Sequence, residues 1–345
     1  MNDFAEILKQ ISAGRELSPE QADFAMREII AGNINNSHIA AFLFGMSSKG
    51  ETVSELTAFV NVMREVSVRV DVDTDHAIDL CGTGGDKSGT FNISTASMFV
   101  AAGADVPILK HGNAGVSSSS GSYDVLKSLG MFPDLHKELV EKCFRETRMA
   151  FMFAPLFHPA MARVMPVRKE LGIRTFFNIM GPMLNPARVK RQVIGAFNRE
   201  TARMMIRILA NLGTEFAYTV YAEDGLDEFS TTSNTHVYQL MDGSVANGKT
   251  FDARTLGLSN AKPQDLKGGN PEENAAIIRA VLDDTATDEQ REVVVLNATF
   301  AIHASGLCDD LQEAHYAALE SLETGKAREA LDRLIECTSD LRSEG

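Results

Sequence analysis

An apolar run, Ala77-Ile78-Asp79-Leu80-Cys81, passes directly into Gly82-Thr83-Gly84-Gly85-Asp86-Lys87-Ser88-Gly89-Thr90 and then into Phe91-Asn92-Ile93-Ser94-Thr95. This pattern predicts a short strand, a glycine-rich bend and a helix over Asn92–Ala104, the opening of a strand–helix unit in a parallel sheet. Glycines carry no Cβ and a helix start presents unpaired N–H groups, so such a bend can approach an anion closely. It is neither a Walker loop, because no Gly-Lys-Ser/Thr opens the helix, nor G-x-G-x-x-G. Asp86 would repel a bare anion in that cradle. The loop therefore points to a phosphate ligand that also brings a sugar hydroxyl or a metal.

The first seventy residues read as helices. Phe4, Ile7, Leu8 and Ile11 share one helical face. Ser18-Pro19-Glu20-Gln21 and Thr52-Val53-Ser54-Glu55 have the form of capping boxes, the first starting a helix towards Ala31 and the second preceding Leu56, Phe59 and Met63. Ser37 can cap the apolar helix Ile39–Met46. These four helices predict a small all-helical N-terminal domain over residues 1–72. From residue 73 to 345 the pattern predicts a larger α/β domain with a mostly parallel central sheet. Its expected strands are Ala77–Leu80, Val106–Leu109, Phe151–Ala154, Gln192–Ala196, Phe216–Tyr221 and Val237–Met241, with helices over Ser122–Leu129, Leu135–Thr147 and Glu200–Leu212 between them. Part of 159–185, strongly helical from Pro159 to Met180, is expected to pack back on the first domain. The chain from Pro271 reads as helices, and Lys267-Gly268-Gly269-Asn270 as either a hinge or an ordinary loop.

The 345 residues carry 33 Lys and Arg against 47 Asp and Glu, a formal charge of −14. That field argues against nonspecific binding to nucleic acid or an anionic membrane, so neither is an expected partner. An anionic substrate then needs local help from amides, a few placed cations or a divalent metal. Cys81, Cys143, Cys308 and Cys337 have no metal-ligand spacing and read as reduced thiols. No leader segment or membrane span is apparent, and the expected location is cytoplasmic.

A second cluster, Lys110-His111-Gly112-Asn113-Ala114-Gly115-Val116-Ser117-Ser118-Ser119-Ser120-Gly121-Ser122, follows the next expected strand and shares the sheet edge of the first loop. Lys110 offers a point charge for phosphate, and the serines offer donors. Pro166-Val167-Arg168 contributes a guanidinium able to hold a carboxylate bidentately, or simply a solvated charge. His158 reads as a packing or helix-start residue. Asp227 and Glu228, in Gly225-Leu226-Asp227-Glu228, suit a hard cation that keeps waters and bridges to phosphates, or form a charged turn.

Taken in order, Gly82–Asp86, Asn92–Thr95, Lys110–Asn113, Pro166–Thr175, Asn178–Pro186 and Gly225–Glu228 resemble the anthranilate phosphoribosyltransferase family over nearly the whole chain. The resemblance implies a nucleoside phosphorylase/phosphoribosyltransferase-like fold and Mg²⁺-dependent transfer of phosphoribosyl to anthranilate, a step of tryptophan biosynthesis. It implies that 5-phosphoribosyl diphosphate lies over Gly82, Gly85, Asp86, Thr90, Asn92, Ile93, Ser94, Thr95, Lys110, His111, Gly112, Asn113, Ala114, Gly115, Val116, Ser117, Ser118 and Ser122. Anthranilate is placed at Gly82, Asn113 and Arg168, and Mg²⁺ at Ser94, Asp227 and Glu228. The resemblance further implies a homodimer through the helical domain. Two positions depart from the family pattern: Ala114 and Ser119 stand where relatives often carry cations. No nucleophile elbow or Cys–His pair is apparent, so catalysis by positioning and electrostatics is expected, without a covalent intermediate. Other readings are a paralogue for another aromatic amine, a pyrimidine nucleoside phosphorylase, or a non-catalytic nucleic-acid-binding relative.

Overall fold

The computed structural model describes residues 3–85, 88–115, 120–259 and 261–344. Four helices come first: α1 (Phe4–Ser12), α2 (Pro19–Ala31), α3 (Asn36–Lys49) and α4 (Val53–Glu65). Both expected capping boxes form, with Ser18 and Thr52 accepting from the amides of Gln21 and Glu55. The cap of α3 is Asn35, not Ser37; its Oδ1 accepts from the His38 amide at 2.9 Å. Asn35 holds the extended backbone that an N-cap needs, while Ser37 already lies inside the helix.

The body alternates strand and helix: β1 (Ile78–Gly82), α5 (Ile93–Gly103), β2 (Ile108–Gly112), α6 (Ser122–Ser128), α7 (Lys137–Thr147) and β3 (Met149–Phe153). After the short helices α8 (Ala154–Phe157), α9 (Met165–Leu171) and α10 (Phe177–Met180) come β4 (Arg191–Gly195), α11 (Arg199–Asn211), β5 (Phe216–Ala222) and β6 (Thr235–Met241). Two short strands, β7 (Ser244–Val245) and β8 (Lys249–Phe251), pair with β6. Helices α12 (Pro271–Leu282), α13 (Asp288–Ser305), α14 (Leu311–Glu323) and α15 (Lys326–Glu344) follow. The sheet order is β3-β2-β1-β4-β5-β6-β7, parallel from β3 to β5 and antiparallel beyond.

Successive residues of the inner strands serve opposite faces. Val193 of β4 and Tyr218 of β5 pack with α5 and the C-terminal helices, whereas Ile194 and Ala217 pack with α11 and the N-terminal helices. Burial on both faces is why these strands read as continuous apolar runs. Segment 159–184 is less regular than its composition suggests: 3₁₀ turns at Pro159–Arg163 and Gly181–Leu184 flank α9 and α10. Pro159, Pro166 and Pro182 open these pieces, and Gly172, at φ 62°, ends α9. Its apolar residues nonetheless enter the helical cluster, where the Phe176 ring lies 4.7 Å from that of Phe59 and 6.1 Å from that of Phe42.

Strand β2 begins at Ile108, two residues later than its apolar run suggests, and continues to Gly112. Pro107 has no N–H to donate and delays the ladder. Lys110 and His111 are consequently strand residues, paired with Phe151 and Met152 of β3, and not members of the following loop.

Candidate active site

Strand β1 is flanked by β2 on one side and β4 on the other, so the strand order reverses between β1 and β4. The carboxyl ends of strands at such a reversal form a crevice that no crossover covers. Here the two last residues, Gly82 and Gly195, are directly paired across the ladder. A Cβ on either would run into Asp227, its carboxylate above Gly82 and its backbone above Gly195. The paired glycines therefore let the Asp227–Glu228 loop descend onto the sheet. That loop is held from behind by Asn297 of α13, which accepts from the Phe229 amide at 3.0 Å and donates to its carbonyl at 2.8 Å.

The acidic loop joins the glycine loop to α5. Asp227 Oδ2 accepts from the Gly84 amide at 2.8 Å, and Glu228 Oε1 accepts from the Ser94 amide at 3.2 Å. The amides at the start of α5 thus have partners in the chain: Ile93 donates to Phe91 O, Ser94 to Glu228, and Thr95 to Asn92 O. A carboxylate at a helix N-terminus is favoured by the helix dipole, so Glu228 takes the place expected for a ligand anion. The adjacent Asp227 and Glu228 carboxylates thus reach the glycine loop and the Ser94 amide, and Ser94 also carries a hydroxyl, so the three residues supply oxygen donors only. Magnesium is commonly held by one or two carboxylates, with water and substrate phosphate completing its shell, and the group fits that pattern. No cluster of three or more His, Cys, Asp or Glu suited to a fully protein-ligated ion occurs among the described residues.

Beneath this layer lies a buried polar group. Lys110, 2% exposed, donates to Leu80 O and to Ser94 Oγ, the latter at 3.3 Å. Asp79, fully buried, accepts from the His111 amide at 3.1 Å and from Asn185 Nδ2 at 2.8 Å. Burial pushes the Asp79 carboxyl up to about 6, opposed by Lys110 and by the bonds from Asn185 and His111. His111 and His158 are also buried, their rings edge to face at 5.2 Å. Burial drives both imidazoles down, His158 to about 4, which keeps the pair neutral at pH 7. Lys110 thus supports Ser94 from below the site.

The second loop is closed at its base. The Asp124 carboxylate accepts from the amides of Gly115 and Gly121 at 2.7 and 2.8 Å. Asn113 Oδ1 accepts from the Ala114 amide at 2.8 Å, and its carbonyl from Tyr123 N and Ser122 Oγ. Asn92 ties this loop to the first, donating to Ser120 O at 3.2 Å and accepting from Ser120 Oγ. It also accepts from Asn274 Nδ2 at 3.0 Å. Asp86, Val116, Ser117, Ser118 and Ser119 lie outside the described residues.

Lys267-Gly268-Gly269-Asn270 is a brace. Lys267 bridges Thr90, the Gly268 amide donates to Gly89 O at 3.0 Å, and Asn270 caps α12. Arg168, on α9, lies with its guanidinium 5.2 Å from the Phe177 ring centre and donates to Met165 Sδ at 3.6 Å; burial lowers its pKa. Asn185 lay within a block already singled out in the sequence. Arg174 lay likewise within Pro166–Thr175 and Lys267 in the segment read as a hinge or loop, whereas Asp79, Asp124, Asn274 and Asn297 carry no local signal of their part in the site. A cleft of about 320 Å³, lined by Arg64, Arg188 and Lys190 among others, lies instead at the opposite sheet edge, before β4 begins.

A helical bundle packs with a largely parallel sheet, and acidic and glycine-rich loops converge where the strand order reverses. Residues 5–67 match the helical bundle domain of a glycosyl transferase family, and residues 74–328 match the a/b domain. The chain is 46% identical to an anthranilate phosphoribosyltransferase of Salinibacter ruber, over 98% of this chain and 99% of that protein. It is 44% identical to the one from Pelotomaculum thermopropionicum, over 97% and 96%. The crystal structure of anthranilate phosphoribosyltransferase from Thermus thermophilus superposes with a TM-score of 0.90 at 34% identity, covering 96% of this chain and 99% of that one. The Saccharomyces cerevisiae enzyme in complex with PRPP and Mg gives 0.89 at 25% identity, covering 98% of both. The chain belongs to the anthranilate phosphoribosyltransferase family. These relatives do not favour the phosphorylase or nucleic-acid-binding readings. No helix among the described residues is long and apolar enough to cross a membrane.

Proposed function

We propose that this chain transfers the phosphoribosyl group of 5-phosphoribosyl diphosphate to anthranilate, giving N-(5-phosphoribosyl)anthranilate and diphosphate. The observation that carries the reading is the Asp227–Glu228 loop, with Asp227 over the paired Gly82 and Gly195 and the two carboxylates on the amides of Gly84 and Ser94. An arylamine is neutral at pH 7 and already carries a usable lone pair, so the reaction needs neither a strong base nor a covalent nucleophile. Its barrier falls through alignment of the amine with the anomeric carbon and through compensation of the charge that develops on the leaving diphosphate. Magnesium, when bound, neutralises part of that charge.

In this reading Ser94, Asp227 and Glu228 hold the metal, and the loop from Gly82 to Thr95 binds the donor. Lys110 keeps Ser94 in place from below. Asn113 and Arg168 orient the acceptor, Arg168 through its carboxylate. The helical domain, residues 1–72 with part of 159–185, faces the α/β domain of residues 73–345 across the site. Exposed Phe44 and Met165, at 58% and 44%, support a homodimer formed through the helical domain. The test is one assay: purified protein, donor, Mg²⁺ and a panel of aminobenzoates, following the loss of acceptor fluorescence. Turnover should be fastest with anthranilate and should require Mg²⁺. Preference for another aminobenzoate would reassign the acceptor, and turnover of none would overturn the reading.

A further inference from the structure

The glycine loop is gripped by two exposed cations that reach it from different parts of the fold. Arg174 follows α9, and its carbonyl accepts from Ser47 Oγ of α3 at 3.4 Å. Its guanidinium lies 4.3 Å from the Phe197 ring centre and donates to Gly85 O. Lys267 comes from the segment before α12, and its ammonium donates to Ser88 O at 2.6 Å. The two carbonyls are three positions apart on the loop. Neither cation has a carboxylate partner among the described residues. A guanidinium has five N–H donors and an ammonium three, so each can hold a carbonyl and still offer donors to a second acceptor. In a chain of net charge −14, two exposed cations without a carboxylate partner among the described residues add positive charge to one loop. Positions 114 and 119, in the neighbouring loop, carry no charge.

We propose that Arg174 and Lys267 are donor-binding residues that draw the diphosphate of the substrate to the glycine loop, supplying the positive charge that Ala114 and Ser119 do not. The inference rests on the transferase reading above. It separates charge from mere bracing, because a neutral amide could also hold a carbonyl.

The experiment compares wild type with Arg174→Gln, Lys267→Gln and Lys267→Arg. It measures initial rates against both substrates and, separately, calorimetric binding of Mg²⁺-diphosphate. Each glutamine variant should raise the donor KM and weaken diphosphate binding about tenfold, the lower end for a hydrogen bond to a charged group. The acceptor KM should stay within about twofold, the defect should shrink with added salt, and Lys267→Arg should restore binding. Unchanged diphosphate binding in both glutamine variants would overturn the proposal. So would equal impairment in Lys267→Gln and Lys267→Arg, or KM values that rise together. A wild type that binds Mg²⁺-diphosphate but turns over no arylamine would sink the transferase reading instead, with the cation assignment still decided by calorimetry.

Discussion

His158 offers the sharpest test of how the floor of the site is built. It is 5% exposed, packs edge to face on His111, and burial lowers its pKa from 6.5 to about 4. Between those values the unfolded chain binds a proton that the folded chain refuses, so stability rises with pH through that window. The contribution is complete above pH 6.5 and is lost as pH falls towards 4. At pH 5 the loss is 1.5 units at about 1.4 kcal/mol each, or about 2 kcal/mol. His111 acts in the same direction. Asp79 acts in the opposite one: its pKa is raised from 3.8 to about 6, so its destabilising effect grows as pH rises through that range and is complete above it. The wild-type profile therefore mixes opposing slopes, and a difference measurement is needed. His158→Phe removes one titrating group and leaves Asp79 and His111 in place. In urea unfolding followed by circular dichroism, the destabilisation caused by His158→Phe should be about 2 kcal/mol smaller at pH 5 than at pH 8. A difference between the two proteins that stays constant with pH, within about 0.5 kcal/mol, would refute a neutral buried imidazole at this position.

Three further outcomes follow from the geometry. Arg168→Ala should raise the acceptor KM by about tenfold or more while the donor KM moves little, measured by steady-state kinetics; equal effects on both would remove Arg168 from the acceptor. Asp227→Asn combined with Glu228→Gln should abolish Mg²⁺-dependent turnover and the calorimetric signal of metal uptake with diphosphate, whereas retained metal dependence would refute the assignment. Asn274→Ala deletes a buried side chain that accepts from the Gly269 amide at 2.7 Å and donates to Asn92. It should destabilise the fold by about 1–3 kcal/mol and raise the donor KM, and a variant with native stability and kinetics would show that the brace is dispensable.

What could be read from the chain, and what could not, divides along a physical line. Capping boxes, apolar faces and the strand–bend–helix at residues 77–104 are set by neighbours a few positions apart, so Ser18, Thr52 and the glycine loop were legible. The partners that shape the site act across long separations. Asn92 and Asn274 are 182 positions apart, Gly84 and Asp227 143, and Asn185 and Asp79 106. No periodicity or spacing encodes such pairs. Lys110 shows how a small local displacement becomes a chemical one. Read as the first residue after a strand, it stands at the sheet edge as a free charge for phosphate. Pro107 moves the start of the ladder, the strand runs on to Gly112, and the same lysine becomes a buried residue between Leu80 O and Ser94 Oγ. Positive charge at the rim then comes from elsewhere, and among the described residues Arg174 and Lys267 bring it to the loop from segments 89 and 179 positions away from the carbonyls they hold. The demand for charge was therefore readable from the acidic composition, whereas its source depended on which distant segments the sheet brings to the end of β1.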